Sequence, residues 1–146
     1  MATIRRQRPG EGKRILDIWR DAVDATHAFL STDDRAALDK MLAGFLPNAP
    51  LWVAVDTEDR PVAVMLVEDG HMEALFVAPL WHGRGIGTAM IRHALALHGS
   101  LTTDVNEQNR HATHFYERAG FHRIGRSPPD SQGRPYPLIH LRHGDR

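Results

Sequence analysis

Residues 81–90 read WHGRGIGTAM, and this stretch decides how the rest of the chain is interpreted. Glycine occupies every second position from Gly83 to Gly87, directly before an apolar run that is typical of a helix. A glycine within a helix costs roughly 1 kcal/mol relative to alanine, so this density of glycine at a helix start needs a physical reason. We interpret the stretch as a turn whose bare main chain comes close to a ligand.

Two known phosphate-binding loops can be compared with this turn, and neither fits. A P-loop carries Lys-Ser or Lys-Thr after its last glycine, whereas Thr88-Ala89 follows here. The dinucleotide fingerprint needs a third glycine at position 88 and normally lies near the start of a βαβ unit. Both loops bind anions through unpaired N–H groups at the positive end of a helix, and this turn has the same parts. It therefore predicts a diphosphate site, the alternative being a tight turn with close helix–sheet packing.

The apolar periodicity on either side of the turn indicates an α+β fold with a mixed sheet. The order of predicted elements is β-α-α-β-β-β-α-β-α-β-β, which lacks a strict alternation of strand and helix. We find no linker, repeat or low-complexity tract, so we expect one domain over 1–146. Helices are predicted over 11–30, 32–46, 85–97 and 109–119, and strands over 3–8, 51–55, 61–68, 71–78, 101–105, 121–126 and 136–141.

The composition excludes several classes of protein. Lys+Arg and Asp+Glu number 18 each, so the net charge gives no sign of a nucleic-acid or membrane-surface partner. The chain has no cysteine, which removes disulfides, thiolate metal sites and a cysteine nucleophile. No apolar run approaches membrane-spanning length and the N-terminus lacks a secretory signal, so we expect a cytoplasmic protein.

The stretches LFVAP (75–79) and HGRGIGTAMI (82–91) carry a family resemblance. They resemble the signature of the GNAT superfamily of N-acetyltransferases, in which Gln/Arg-x-x-Gly-x-Gly/Ala joins the fourth strand to the third helix. Gly85 and Gly87 match its two glycines, while His82 stands where the family usually has Gln or Arg. VNEQNRHATHFYERAGF (105–121) is similar to the family's late segment, through Asn109, Ala112, Tyr116, Gly120 and Phe121.

The resemblance extends over nearly the whole chain and implies the GNAT fold, a mixed, mostly antiparallel sheet of about seven strands flanked by about four helices. It implies an enzyme that transfers the acetyl group of acetyl-CoA directly to a primary amine, with no metal. The glycine turn would bind the diphosphate, and the edge of the fourth strand would pair with the pantetheine amides. The implied acetyl-CoA-binding residues are Leu75, Phe76, Val77, His82, Gly83, Arg84, Gly85, Ile86, Gly87, Thr88, Asn109 and Tyr116.

The chemistry of this transfer asks for an acid, a base and an oxyanion donor. A lysine-type amine has a pKa of about 10.4, so it must lose a proton before it attacks. The resemblance implies that Tyr116 lies beside the thioester sulfur as the general acid. It also implies an oxyanion donor, a main-chain N–H near Phe76 or Val77, where the fourth strand separates from the fifth.

Two residues of the predicted fourth strand are candidates for the base. His71 and Glu73 are two positions apart, so a regular strand turns both toward the same face as Leu75 and Val77. An imidazole suits proton transfer near neutral pH, and related enzymes often keep a carboxylate here. The sequence leaves the choice open, a water chain included, and a bulge would reverse the direction in which both side chains point.

The acceptor is the part that the sequence defines least. The resemblance implies an acceptor pocket walled by His27, Phe29, Trp52 and Tyr136, in a region made acidic by Asp21, Asp24, Asp33 and Asp34. The acceptor can be a small amine or a lysine side chain of a protein. The other interpretations are a CoA-binding regulatory module without turnover and a histidine-rich metal-binding protein. The oligomeric state stays open, a homodimer being one candidate.

Overall fold

A computed structural model of the protein describes residues 3–26, 31–128 and 137–144, which form seven strands and four α-helices. Their order is the predicted β-α-α-β-β-β-α-β-α-β-β. Short 3-10 turns cover Leu46–Asn48 and Pro79–Trp81. The elements are β1 (Thr3–Arg6), α1 (Gly12–Thr26), α2 (Thr32–Phe45), β2 (Trp52–Val55), β3 (Pro61–Glu68), β4 (His71–Val77), α3 (Ile86–His98), β5 (Ser100–Asn106), α4 (Arg110–Arg118), β6 (His122–Ser127) and β7 (Leu138–Gly144).

All the described strands belong to one sheet, in the order β1-β2-β3-β4-β5-β7-β6. Every neighbouring pair is antiparallel except β4 and β5, which are parallel. A parallel pair needs a crossover connection, and α3 supplies it. The predicted fold class, a mixed and mostly antiparallel sheet flanked by helices, is confirmed.

The sheet separates two apolar clusters, one on each face. Helix α1 packs Ile15, Ile18 and Trp19 against β2 and β3 on one face, with α2 alongside. Helices α3 and α4 cover the other face, where Met90 and Tyr116 belong to the buried cluster. Apolar residues three and four apart form these buried stripes, as amphipathic helices require.

Several predicted boundaries shift by a few residues. The cap of α2 is as expected, since the Ser31 Oγ accepts a hydrogen bond from the Asp34 N–H at 3.1 Å. Strand β7 begins later and runs on to Gly144, because β5 extends to Ser100 and pairs with it there. The described part of the first helix ends at Thr26, and the rest of the predicted span lies outside the described residues. No helix in the described part is long and apolar enough to cross a membrane.

Strands β4 and β5 stay paired only at their first residues. His71 lies opposite Thr102 and Met72 opposite Thr103, and beyond this point the register ends. The buried Thr103 hydroxyl donates to the Met72 carbonyl at 2.8 Å. This side-chain hydrogen bond joins the two strands at the point where they separate. Beyond it, a gap opens in the middle of the sheet.

Replacing Thr103 tests how the gap is stabilised. Thr103→Val keeps the shape but removes this hydrogen bond between the strands, so we expect the free energy of unfolding to fall by about 0.5–1.5 kcal/mol. Thr103→Ser keeps the hydroxyl and loses only a buried methyl group, worth about 0.8 kcal/mol. Urea unfolding measures both variants. A valine variant as stable as the unaltered protein would contradict this role of the hydroxyl.

Candidate active site

The glycine turn adopts a left-handed main-chain conformation at two positions. Gly83 has φ 75° and Gly85 has φ 77°, a region that costs residues with a Cβ about 1–2 kcal/mol. A Cβ on either glycine would meet no atom of the described residues within 4 Å. These two glycines are therefore required by conformation rather than by packing, and the space in front of them stays open.

Helix α3 begins at this turn without a side-chain cap. Its N-cap residue is Gly85, which has no side chain to accept from the first N–H groups. Helices α2 and α4 differ, because Ser31 caps α2 and Asn109 caps α4. The first turn of a helix leaves its N–H groups without main-chain partners. At α3 these groups, on Ile86 to Thr88, face an open space at the positive end of the helix dipole.

Gly87 has a different role from the other two glycines. It lies within α3 and is buried, and a Cβ there would come within 2.8 Å of the Phe115 Cζ. Real Cβ atoms essentially never come so close to another atom, so the residue allows α4 to pack tightly against the start of α3. Gly83 and Gly85 thus form the tight left-handed turn, and Gly87 allows close packing of α4 on α3. The diphosphate site at this turn stays a prediction.

His82 and Arg84 hold the outer side of the turn. The His82 Nε2 lies 2.9 Å from the Val77 carbonyl oxygen, so this nitrogen carries the proton and donates. The contact ties the turn to the end of β4. The Arg84 guanidinium lies 4.7 Å from the centre of the Trp81 ring. Arg84 does not line the cavity beside the turn, so it supplies charge next to that cavity rather than inside it.

A bulge in β4 changes the direction of the two predicted base candidates. Met72 lies opposite Val67 and Ala74 opposite Leu66, so Glu73 is the extra residue of the pair. Met72 packs on the α3 face, whereas Ala74 packs on the α1 face. The expectation of a regular strand is therefore wrong here.

The bulge separates the candidates by position. His71, next to the inward-facing Met72, turns its ring to the opposite face and reaches Thr102 Oγ1 at 2.7 Å. It does not line the cavity, whereas Glu73 does. A face shared by His71, Glu73, Leu75 and Val77 does not form, because the pleat alternation is interrupted.

Beyond the bulge, β4 turns unpaired main-chain groups toward the gap. The Ala78 N–H donates to the Val62 carbonyl of β3 at 2.9 Å. Hydrogen-bonding groups alternate along an antiparallel ladder, so Val77 and Leu75 point their N–H groups away from β3. They point to the side where β5 has diverged. This alternation favours Val77 over Phe76 as the source of an oxyanion donor.

A cavity of about 550 Å³ occupies this gap and reaches both faces of the sheet. Ala22 of α1 lines one side, and Phe115 and Tyr116 of α4 line the other. These helices cover opposite faces, so the cavity passes between β4 and β5. The predicted residues that line it are Glu73, Leu75, Phe76, Val77, His82, Gly83, Gly85, Ile86, Gly87, Thr88, Asn109 and Tyr116.

Tyr116 is held rigidly in the wall of this cavity. Its ring is 8% exposed and lies edge-on to Phe115 and Phe121, with ring centres 5.3 Å apart in both pairs. Within the described ranges no group hydrogen-bonds its hydroxyl. Burial raises the pKa of this hydroxyl well above its ordinary value. The group therefore keeps its proton and can act as a donor inside the cavity.

Asn109 has a structural role that the sequence prediction did not include. Its Oδ1 accepts from the Ala112 N–H at 3.1 Å, and its carbonyl accepts from the Thr113 hydroxyl at 3.0 Å. These bonds start α4 and so orient Tyr116 two turns later. Nearby, Asn106 lines the cavity wall, and its buried Oδ1 has no hydrogen-bond partner among the described residues.

Only one of the four predicted acceptor residues, Trp52, lies within the described residues. Trp52 in β2 packs edge-on against His93 of α3, with ring centres 4.4 Å apart, under the guanidinium of Arg6. It lies outside the cavity lining, so this placement does not support a role in the acceptor pocket. The other three predicted acceptor residues, His27, Phe29 and Tyr136, lie outside the described residues.

The acidic region predicted on the first two helices is partly neutralised by arginine. Arg35 pairs with Asp24 at 2.8 Å and with Asp39 at 3.0 Å, and Arg20 pairs with Asp39 at 2.7 Å. The hydrogen bond from Arg35 lowers the pKa of Asp24. These carboxylates thus hold α1 and α2 together. Over residues 3–26, 31–128 and 137–144, no group of three or more His, Asp or Glu side chains is arranged to hold a metal ion.

Some cavity residues were missed by sequence reasoning. Asp104 on β5 and Arg118 on α4 line the cavity, as does His111, whose ring stacks near that of His82. Asp104 is level with Glu73 in the parallel register, since Met72 pairs with Thr103. The alternation of β5 alone would have indicated which face Asp104 occupies, but not its partner strand.

The fold and this site agree with a known family. A family model described as the acetyltransferase (GNAT) domain matches residues 47–123, just over half of the chain. The chain belongs to this family and is an acyl-CoA-dependent N-acetyltransferase.

Two similar bacterial proteins share one name. The chain is 52% identical over 141 residues to the peptidyl-lysine N-acetyltransferase YjaB of Salmonella typhimurium, with 97% of each chain covered. Its Escherichia coli counterpart is 49% identical over 139 residues, with 95% of each covered. The solution structure of apo-form YjaB from Escherichia coli matches with TM-score 0.94 at 47% identity, over 99% of both chains.

A more distant structure matches in fold alone. The PaiA N-acetyltransferase from Thermoplasma acidophilum, in complex with coenzyme A, has TM-score 0.80 at 13% identity, with 99% of each chain covered.

The raised pKa of Tyr116 predicts a loss of stability in alkali. Above about pH 10 the unfolded chain releases the phenolic proton while the folded chain keeps it, so the folded state loses up to about 1.4 kcal/mol per pH unit. Below about pH 10 both states hold the proton and the contribution vanishes. Urea unfolding at about pH 8 and about pH 11 measures the difference. Tyr116→Phe should lose less stability between these pH values, and an equal loss would contradict the burial argument.

Proposed function

We propose that this enzyme acetylates lysine side chains of proteins, using acetyl-CoA, with Glu73 as base and Tyr116 as acid. The observation that carries the proposal is the cavity between β4 and β5, which Glu73 lines from the bulge in β4 and Tyr116 lines from α4. The printed names of the YjaB relatives support the lysine acceptor. The chain contains no cysteine, so direct transfer between the two bound substrates is favoured over a Cys-bound acyl group.

The turn and the strand edge fit the parts of acetyl-CoA. The uncapped N–H groups at the start of α3 suit a diphosphate, and the positive φ of Gly83 and Gly85 leaves room for it. The Leu75 N–H and carbonyl, which face the gap, suit the pantetheine amides. When bound, acetyl-CoA supplies an acetyl carbon activated as a thioester.

Each proposed residue then has one task. Glu73 takes a proton from the acceptor amine, whose nitrogen forms the new C–N bond as the C–S bond breaks. The Val77 N–H donates to the carbonyl oxygen, on which negative charge develops. Tyr116 donates its hydroxyl proton toward the departing sulfur, which becomes the thiol of coenzyme A, and the phenol is reprotonated from water.

Among the described residues, the surface of β5, β6 and β7 beside the cavity suits a protein chain. The apolar cluster under α1 draws on β2, β3 and β4, and none of its described members comes from β5, β6 or β7. The described part of that half of the sheet therefore presents polar side chains, including Asp104, beside the cavity. An open strand surface suits a peptide that presents one extended lysine, whereas a closed pocket would suit a small metabolite.

Replacing Glu73 tests the base. The assay incubates the protein with acetyl-CoA and lysine-containing peptides, with spermidine as a small-amine comparison, and follows free thiol and acetylated peptide. Glu73→Gln should lower kcat by about 100-fold or more, because the glutamine amide accepts no proton. Glu68→Gln, an exposed residue of the same sheet outside the cavity, is the matched control. Acetylation of spermidine but of no peptide would refute the lysine acceptor.

Replacing Tyr116 tests the acid separately. Tyr116→Phe removes a hydroxyl that has no described hydrogen-bond partner, so packing is preserved. We expect kcat to fall by about 100-fold while the Kd for coenzyme A, measured by calorimetry, changes less than about threefold. Full activity in this variant would show that the leaving sulfur needs no proton donor at residue 116.

A further inference from the structure

Among the described residues, a row of five side chains runs from β6 through β7 and β5 to β4, and its central member lines the cavity. Asp104 on β5 lies at its centre, between two histidines. The His140 Nδ1 is 2.5 Å from Asp104 Oδ1, and the His71 Nε2 is 3.4 Å from Asp104 Oδ2. Each ring has a hydroxyl at its far nitrogen, with Ser127 Oγ 2.6 Å from His140 and Thr102 Oγ1 2.7 Å from His71.

The chemistry of these groups sets the direction of the hydrogen bond to Asp104. A carboxylate accepts, so the His140 Nδ1 donates to it. His71 makes a longer contact, in which its Nε2 faces the carboxylate at 3.4 Å while its Nδ1 hydrogen-bonds with Thr102 Oγ1. The carboxylate is thus fixed by partners from β4 and β7, on rigid strands.

The position of the Asp104 carboxylate suits a positively charged ligand. Asp104 lines the cavity, and the parallel register sets it level with Glu73 across the point where the strands separate. The two carboxylates therefore flank the acceptor side of the gap. An amine with an ordinary pKa of about 10.4 arrives there as an ammonium ion. Glu73 must be free to take a proton, so a second, fixed anion is suited to hold the positive charge.

We propose that Asp104 binds the ammonium group of the acceptor and selects cationic side chains, with His71 and His140 as positioning residues. This inference rests on the proposed lysine acceptor. It gives His71 a task other than the base considered from the sequence. Its ring faces the carboxylate rather than the cavity, so it acts on the acceptor only through Asp104.

Peptides that bind but do not react test the charge selection. We compare an alanine–glycine peptide with a central dimethyl-lysine, which keeps the positive charge, and one with norleucine, which has none. With coenzyme A present, the unaltered enzyme should bind the dimethyl-lysine peptide more tightly than the norleucine peptide. Asp104→Asn should raise the Kd for the dimethyl-lysine peptide about tenfold or more and leave the Kd for the norleucine peptide unchanged. The Kd for coenzyme A should stay constant, because the proposed role of Asp104 concerns the acceptor alone.

Histidine variants test the positioning role. Asn can put an N–H at the place of a ring Nδ1 and Gln at the place of Nε2. His140→Asn and His71→Gln should therefore recover most of the dimethyl-lysine affinity that His140→Leu and His71→Leu lose. A merely structural role would weaken both peptides alike and would not follow this pattern.

The outcomes separate this inference from the proposed function. Suppose that the unaltered enzyme acetylates lysine peptides, but Asp104→Asn weakens the binding of the dimethyl-lysine and norleucine peptides equally or not at all. This result would overturn the role of Asp104 and leave the proposed function intact. If the unaltered enzyme neither acetylates lysine peptides nor binds the dimethyl-lysine peptide, both fall. Selective loss of the charged peptide in Asp104→Asn supports the inference.

Discussion

The parallel pairing of β4 with β5 is limited to two residue pairs, and the rest of the site depends on this limit. A continuous ladder would have used the main-chain groups of Leu75 and Val77 and closed the sheet. Because the ladder stops, the sheet contains an internal edge, where polar main-chain groups meet a cavity rather than a neighbouring strand. The Thr103 hydroxyl donates to the Met72 carbonyl at the point of separation, so a side-chain hydrogen bond joins the two strands there.

The glycine turn and the gap act together because α3 connects the two diverging strands. Helix α3 starts on a glycine, so no side chain caps its first N–H groups. The missing cap lowers the stability of an isolated helix, but it leaves those N–H groups free to bind an anion. Gly87 lets Phe115 and so α4 approach the same helix end. The proposed diphosphate site and Tyr116 are thus set relative to each other by one close contact between two helices. The His82 bond to Val77 links the turn to β4 as well.

The carboxylates beside the cavity are not those of the first two helices, which the sequence predicted for the acceptor region. Asp24 and Asp39 on the first two helices pair with Arg20 and Arg35, and these pairs join the two helices. The carboxylates that reach the cavity come instead from the sheet, from the bulge in β4 and from β5. Surface ion pairs contribute little to stability, whereas a carboxylate at the edge of a cavity can be exposed to a ligand. The cavity carboxylates thus come from strands, whereas the proposed acid, Tyr116, comes from helix α4.

The sequence by itself determined the element order, the fold class, the family and the glycine turn, because these depend on local periodicity and on motif spacing. Most cavity residues of the turn and of α4 follow from the same motifs. The direction of His71 and Glu73 was decided only by tertiary structure, because one bulged residue reverses the pleat and no local signal marks it. Tertiary structure also decided that Trp52 lies outside the cavity lining and that Asp104 lies within it. Both depend on which strands become neighbours, a long-range choice made when the whole sheet packs between its helices.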